Sequence, residues 1–581
     1  MSTNLKVSLG GKRILDLSSA GFHYVGAGGQ ASIYEGSGTA FKVYHDPRSM
    51  IPLGKIQELM KIQAANVVRP FDVLYAASGG QPVGYAMKYL DHTNPICKLF
   101  AKSFKTENSI SPSMVVELVK AIQMTVASVH RDNCLIVDLN ELNVLVGDDF
   151  VSPFVIDTDS FQTPSFRATA IMDSVRDRHS PPGQFSETTD WFSFAVMATH
   201  LYLNIHPFKG THPKYLPSEM NRRMDDNVSI FCKDVKLPIV CNPLSVIPRR
   251  HLDWLKLVFH KKERSVPPLP DVSGPIPVPA NIVLVSGTDK FEIGELFSLD
   301  DDILFRMEFF GVDYFVTRKS VFKGTEKVWT KPADYRKVLV CPADSGDIVI
   351  AGYDGRKTVQ FLTADNQALG QVSSRGFFFR NQAVYTANRG RLYENTFTKM
   401  GEKLFVRTHA VDQLSEFGSV VYPGVVVQDL LGKIWVTIPY APGRCCSRPV
   451  PQLDGYRVID ARSEMNLCVV IGEKRGIYSR FVLTFAPDFS AYALRQEDDA
   501  ACDGINFTVL ENGLCLMLGG PDELQVFKGT KVHKFSNPPI AANMRLFAKS
   551  GGVCFLNGSS VFSLKMVKCG RRRESGGKPA V

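Results

Sequence analysis

Two periodicities divide the chain. Up to about residue 262, helical and strand-like spacings of apolar positions alternate; beyond about 297 the helical period largely disappears. In Pro112–Arg131 (PSMVVELVKAIQMTVASVHR) apolar residues return every three or four positions, which predicts a helix with one buried face. Lys55–Gln63 (KIQELMKIQ) repeats that spacing through Ile56, Leu59, Met60 and Ile62. The uncharged run Trp191–Phe208 is about long enough to cross a bilayer, but its Ser, Thr, His and Asn residues and its Pro207 predict a buried core helix instead. Strand-like runs occupy 23–44, 84–90, 144–146 and 154–162.

The second half is a succession of short β-rich runs broken by Gly, Asp and Asn. GDIVIAGYDGRKTVQFL (346–362) and GLCLMLGGPDELQVFKG (513–529) each read as a hairpin with a tight turn. Seven such clusters between 297 and 567, of roughly 40 residues each, suit units of four short strands. They predict an all-β domain, a β-propeller of six or seven blades, with a pair of β-sandwiches as the alternative. No WD or kelch signature is present. Between the halves, RSVPPLPDVSGPIPVPAN (264–281) is too dense in proline for helix or central strand and predicts a semi-rigid linker. The polar, Gly-rich tail 568–581 predicts disorder, with Arg571–Arg573 as a solvated basic run.

At 581 residues, 44% hydrophobic and 22% charged, the chain reads as multi-domain globular protein. A net charge of +9 is modest for this length and does not by itself call for nucleic acid. The N-terminal MSTNLKVSLGGKRILDL lacks the basic and apolar regions of a secretory leader. The twelve cysteines form no C-x-x-C pair, which predicts reduced thiols and a cytoplasmic, membrane-free protein.

Candidate chemistry lies in the first half. Gly26-x-Gly28, followed by Ala31 and Ile33, stands between two strand-like runs rather than opening a helix. That argues against a dinucleotide fold and for a glycine-rich hairpin whose backbone approaches nucleotide phosphates. Ala40-Phe41-Lys42-Val43 is an apolar strand carrying one lysine, suited to phosphate oxygens, and Glu58 on the following helix is the expected partner for that ammonium. Met87-Lys88-Tyr89-Leu90 reads as a hinge whose backbone would hold adenine. His130-Arg131-Asp132 spells a catalytic triplet, yet five residues after Asp132 stands Val137, which has no metal-binding oxygen in its side chain. Five after Asp138 stands Asn143, followed by the strand Val144–Val146, so Asp138 is the general-base candidate and the triplet a decoy. Phe154–Gln162 then delivers Asp157 as a metal ligand, and Asp190 opens the long apolar helix.

In this order, residues 16–262 resemble the eukaryotic-like (Hanks-type) protein kinases. More narrowly they resemble a divergent bacterial and phage group with D-L-N-x-x-N and D-x-D-S-F-Q motifs, matched by Asp138–Asn143 and Asp157–Gln162. The resemblance implies a bilobal α+β kinase fold with an N-lobe at 16–90 and a C-lobe at 91–262; it says nothing of the rest, which composition and pattern divide into a linker at 263–281, a β-propeller-like domain at 282–567 and the tail, so the chain is multi-domain. The resemblance also implies an ATP- and Mg²⁺-dependent serine/threonine kinase acting on a protein substrate; the all-β domain is separately expected to recruit substrate or partner. Lys42 and Glu58 would orient the phosphates, Asn143 and Asp157 would bind Mg²⁺ with Asp159 as a further carboxylate, and Asp138 would take the hydroxyl proton. A nucleotide-binding pseudokinase or adaptor, or a small-molecule kinase, are the alternatives.

Several positions depart from the kinase pattern. Val137 stands where an arginine would clamp a phosphorylated activation segment, so activity should survive phosphatase treatment. Asn140 replaces a phosphate-steadying lysine, and Thr158-Asp159 replaces Phe-Gly. RHSPPG (178–183) occupies the place of an A-P-E motif without its glutamate. The segment 163–182 is expected to be exposed, with Thr163, Ser165, Thr169, Ser174 and Ser180 as phosphorylation targets.

Overall fold

The computed structural model describes residues 5–567 apart from 79, 217, 239–240, 271–289, 356, 475–476, 499–503, 521–522, 530, 537 and 541–543. The tail expected at 568–581 and linker residues 271–281 lie outside the described residues. Two compact units are present, 1–280 with 304–505, and 281–303 with 506–581.

The first unit begins with a seven-stranded antiparallel sheet. Its strands are β1 (Lys6–Leu9), β2 (Arg13–Asp16), β3 (His23–Ala27), β4 (Ala31–Gly36), β5 (Thr39–Tyr44), β6 (Pro70–Ala76) and β7 (Pro82–Lys88), ordered β2-β1-β6-β7-β5-β4-β3. The sheet therefore takes in two strands at or ahead of residue 16, where the sequence suggested that the first lobe begins. Gly84 has a physical reason to be glycine: a Cβ there would lie 1.9 Å from the Lys42 carbonyl oxygen, so only glycine lets β7 pack this close to β5. Helix α1 (Leu53–Leu59) crosses the sheet with Ile56 and Leu59 fully buried.

After α2 (Lys102–Glu107) come the two long helices, α3 (Pro112–Arg131) and α4 (Glu187–Leu203). Ser111 starts α3 by accepting a hydrogen bond from the Met114 amide at 3.2 Å. Helix α4 is apolar nearly all round and buried nearly all round, as expected for a core helix. Among the described residues only α3 is long and apolar enough to cross a membrane, and half of it is buried in the fold. A small sheet of β8 (Thr93–Pro95), β9 (Val144–Gly147) and β10 (Pro153–Val155) flanks the loop 135–143.

The linker is not free where it is described. Gln123 Nε2 donates to the Pro267 carbonyl at 2.8 Å, Trp254 Nε1 to the Ser265 carbonyl at 3.1 Å, and His251 Nε2 lies 2.9 Å from the Pro268 carbonyl. Proline-rich chain has unpaired carbonyls to offer, and buried donors of the helical region use them.

The rest of this unit is all-β: five consecutive antiparallel sheets of four strands each, spanning 303–330, 337–373, 377–413, 419–449 and 457–498. Alternate residues fill the sheet interiors, as in Val349, Ala351, Val359 and Phe361, each 0% exposed. The second unit holds two further four-stranded sheets. One spans 507–536; the other joins Phe291–Ser298 to the last three strands, Arg545–Lys549, Gly552–Asn557 and Ser560–Met566. The ten cysteines among the described residues are all free.

Candidate functional site

Lys42 projects from β5 between two carboxylates. Its Nζ lies 2.8 Å from Asp157 Oδ1 and 2.8 Å from Asp159 Oδ2. Burial opposes the ammonium, but the two carboxylates more than offset it and raise the Lys42 pKa. Asp159 is itself nested: Tyr85 Oη donates to its Oδ1 at 2.6 Å and Tyr44 Oη to its Oδ2, while Lys55 Nζ donates to its backbone carbonyl at 2.6 Å. Burial would raise the Asp159 pKa, but Lys42 and the tyrosine hydroxyls outweigh it and hold the carboxyl below its ordinary value.

One expectation is corrected here. Glu58 does not hold Lys42. The inward position on α1 belongs to buried Lys55, and Glu58, one turn away, accepts from the Ser165 amide at 3.2 Å. The oxygens of Asp159, also expected as a metal carboxylate, are engaged by Lys42, Tyr44 and Tyr85 in this structure, which places it beside the lysine. Tyr44, Tyr85 and Lys55 carried no sequence signal beyond being polar groups at strand and helix positions facing inward.

The loop 136–143 faces this cluster. Asp138 accepts from Asn143 Nδ2 at 3.2 Å, and the Ile156 amide donates to the Asn143 carbonyl at 2.9 Å, tying the Asp138 loop to the strand that delivers Asp157. Burial raises the Asp138 pKa, with the Met172 amide acting in the opposite sense. Buried Asn140 builds the loop: its Oδ1 accepts from the amides of Leu142, 2.8 Å, and Asn143, 3.1 Å.

Val137 has φ 65°, a conformation costly for a β-branched residue by roughly 1–3 kcal/mol. Fully buried Asp190 compensates by accepting from the Val137 amide at 2.9 Å and the Ile136 amide at 2.8 Å. His130 Nε2 lies 2.9 Å from the same carboxylate. The decoy triplet is thus structural: His130 pairs with the brace, and Asp132 accepts from the Gln63 amide at 2.7 Å.

The segment 163–182 packs over the loop. The Met172 amide donates to Asp138 Oδ1 at 2.8 Å. Asp177, next to the RHSPPG run, forms a two-pronged ion pair with Arg264, 2.6 and 2.7 Å. Ser165 and Thr169 are exposed, whereas Thr163 is buried, contrary to its expected exposure.

Gly26, Gly28, Ala31 and Ile33 lie on the β3–β4 hairpin. Gly26 pairs with Ile33 across a bulge, the Gly28 amide donates to the Ala31 carbonyl at 2.9 Å, and Ala31 is buried against Ile56 and Tyr85. A Cβ on Gly28 would meet nothing within 4 Å, so the space beside the turn is open. Met87 and Lys88 end β7, the Tyr89 amide donates to the Gly38 carbonyl at 3.1 Å, and Leu90 follows.

Among the described residues no group of three or more His, Cys, Asp or Glu could hold a metal. Mg²⁺ asks for less, one or two protein oxygens with water and phosphate completing its shell. Half-exposed Asp157 offers a carboxylate, and Asn143, its nitrogen committed to Asp138, offers Oδ1. These residues fit that ion. No protein-family model matches the chain, and no curated protein matches it.

Proposed function

We propose that the first 262 residues form a kinase-like bilobal domain that transfers the γ-phosphoryl group of ATP to serine or threonine hydroxyls of a protein. The single observation that supports this reading best is convergence. Lys42 and Asp157, 115 positions apart, meet at 2.8 Å, and the Asp157 strand is hydrogen-bonded to the loop bearing Asp138 and Asn143. Lys42 would bind phosphate oxygens, and Asn143 and Asp157 would hold Mg²⁺, which supplies charge neutralisation on the phosphates. Asp138, desolvated and raised in pKa, would accept the hydroxyl proton as the oxygen bonds to phosphorus and ADP departs. The seven four-stranded sheets support a β-propeller with a recruiting role.

A nucleotide-binding pseudokinase is the second reading, favoured by the Met172 amide seated on Asp138. Transfer from [γ-³²P]ATP by the wild type, beside Asp138→Ala and Asp157→Ala, tests the proposal. Asp138→Ala should lower transfer about 10²- to 10⁴-fold while MgATP still binds. Equal transfer by all three proteins refutes it, and binding without transfer selects the pseudokinase.

A further inference from the structure

The loop bearing Asp138 has two sides. Its inner side faces Lys42 and Asp157. Its outer side, at Glu141 and Leu142, meets the sheet 457–498 of the same unit. Tyr478 Oη donates to Glu141 Oε1 at 3.0 Å, and Arg457 Nη1 donates to the Leu142 carbonyl at 2.9 Å. Ile459 and Ile471 of that sheet share one apolar core with Leu139, Leu142 and Val144, so the polar contacts sit on a continuous packed surface.

The same block of five sheets grips the other walls of the cleft. Tyr24 Oη, on the glycine-rich hairpin, donates to Asp429 Oδ1 at 3.4 Å, and the His23 ring stacks on Phe417 with centroids 4.1 Å apart. Just past the hinge residues, Asp91 pairs with Lys357 at 2.7 Å.

We infer that Arg457 and Tyr478 are positioning residues for Asp138: the sheet region completes the Asp138–Asn143 loop from outside rather than only recruiting partners. The physical case is that Asp190 and Asn140 fix the loop's two ends, while Glu141 and the Leu142 carbonyl at its crest are held by groups more than 300 positions away. A crest free to shift by an ångström would misplace the base. This inference rests on the kinase reading of Asp138 for its catalytic half.

The test uses the full chain as wild type, Arg457→Ala, Arg457→Lys and Tyr478→Phe. Amide exchange of a peptide covering 138–143, the rate of transfer from [γ-³²P]ATP and the MgATP dissociation constant are read together. Expected in Arg457→Ala and Tyr478→Phe are about tenfold faster exchange confined to 138–143 and a kcat lower by about 10- to 100-fold. MgATP affinity should stay within about threefold, and Arg457→Lys, which keeps a donor, should recover part of the rate. Unchanged loop exchange in both variants overturns the inference whether or not the chain transfers phosphate. Faster exchange spread over every peptide, with a lowered Tm, also overturns it, because the residues then serve stability alone. Locally faster exchange in a chain whose wild type transfers nothing overturns the kinase reading, and the catalytic half falls with it.

Discussion

Buried polar groups are organised differently in the mixed α and β region and in the sheets that follow it. In the sheets some of the most buried pair with residues close in sequence. Tyr385 donates to Glu394, nine positions on, and Gln428 to Thr437, also nine positions on. Each pair bridges neighbouring strands of one sheet. In the cleft the separations are 115 positions for Lys42 and Asp157, 74 for Tyr85 and Asp159, and 60 for His130 and Asp190. A pair within one sheet serves that sheet. The groups around Lys42 and Asp138 instead come together from four places in the chain, and burial leaves the Asp138 pKa raised.

Substitution should separate the two kinds of pair. The largest effect belongs to Asp190→Ala, which strips His130 and two buried amides of their acceptor. Unfolding stability should fall by about 3–5 kcal/mol, read by denaturant titration, and phosphate transfer should vanish with it. Its sheet counterpart, Tyr385→Phe, should cost about 1 kcal/mol and leave transfer untouched. Equal losses of activity in both would erase the contrast.

Next comes pH, at a group on the seam of the two regions. Burial holds Asp460 up to about 6, above its ordinary 3.8, opposed by nearby Lys98. Because the folded value exceeds the unfolded one, the stabilisation from its proton is complete below pH about 4 and is lost as pH rises through about 6. Asp460→Asn mimics the neutral form at every pH. The stability of wild type relative to this variant should therefore fall by on the order of 3 kcal/mol between pH 4 and 8, measured by paired thermal melts. A flat difference contradicts the buried carboxyl.

The smallest effect sharpens the correction at Lys42. Asp159→Asn should weaken MgATP binding about tenfold, because Lys42 loses a fixed counter-charge. Glu58→Gln should change it by less than about twofold. Calorimetric titration decides, and the reverse ranking would restore Glu58 to the role the sequence suggested.

Much of this was legible in the chain. The five-residue step from Asp138 to Asn143 put both on one loop, and there Asn143 donates to Asp138. Pro112–Arg131 followed from its apolar spacing, and the four-strand rhythm after 297 from local hairpins. The partner of Lys42 was not legible. Helical spacing says that Lys55 and Glu58 lie on neighbouring faces of α1, but not which face turns inward.

What the sequence by itself determined is therefore everything set by neighbours along the chain: elements, turns, the Asp138 loop and the four-strand units. Tertiary structure alone decided that Asp159 rather than Glu58 holds Lys42, that Asp177 finds Arg264, and that Tyr478 and Arg457 meet the crest of the loop. The reason is physical. Side-chain periodicity is a property of a few consecutive residues, whereas a contact across a hundred or more depends on how whole elements pack, and that orientation is written in no single stretch of the chain.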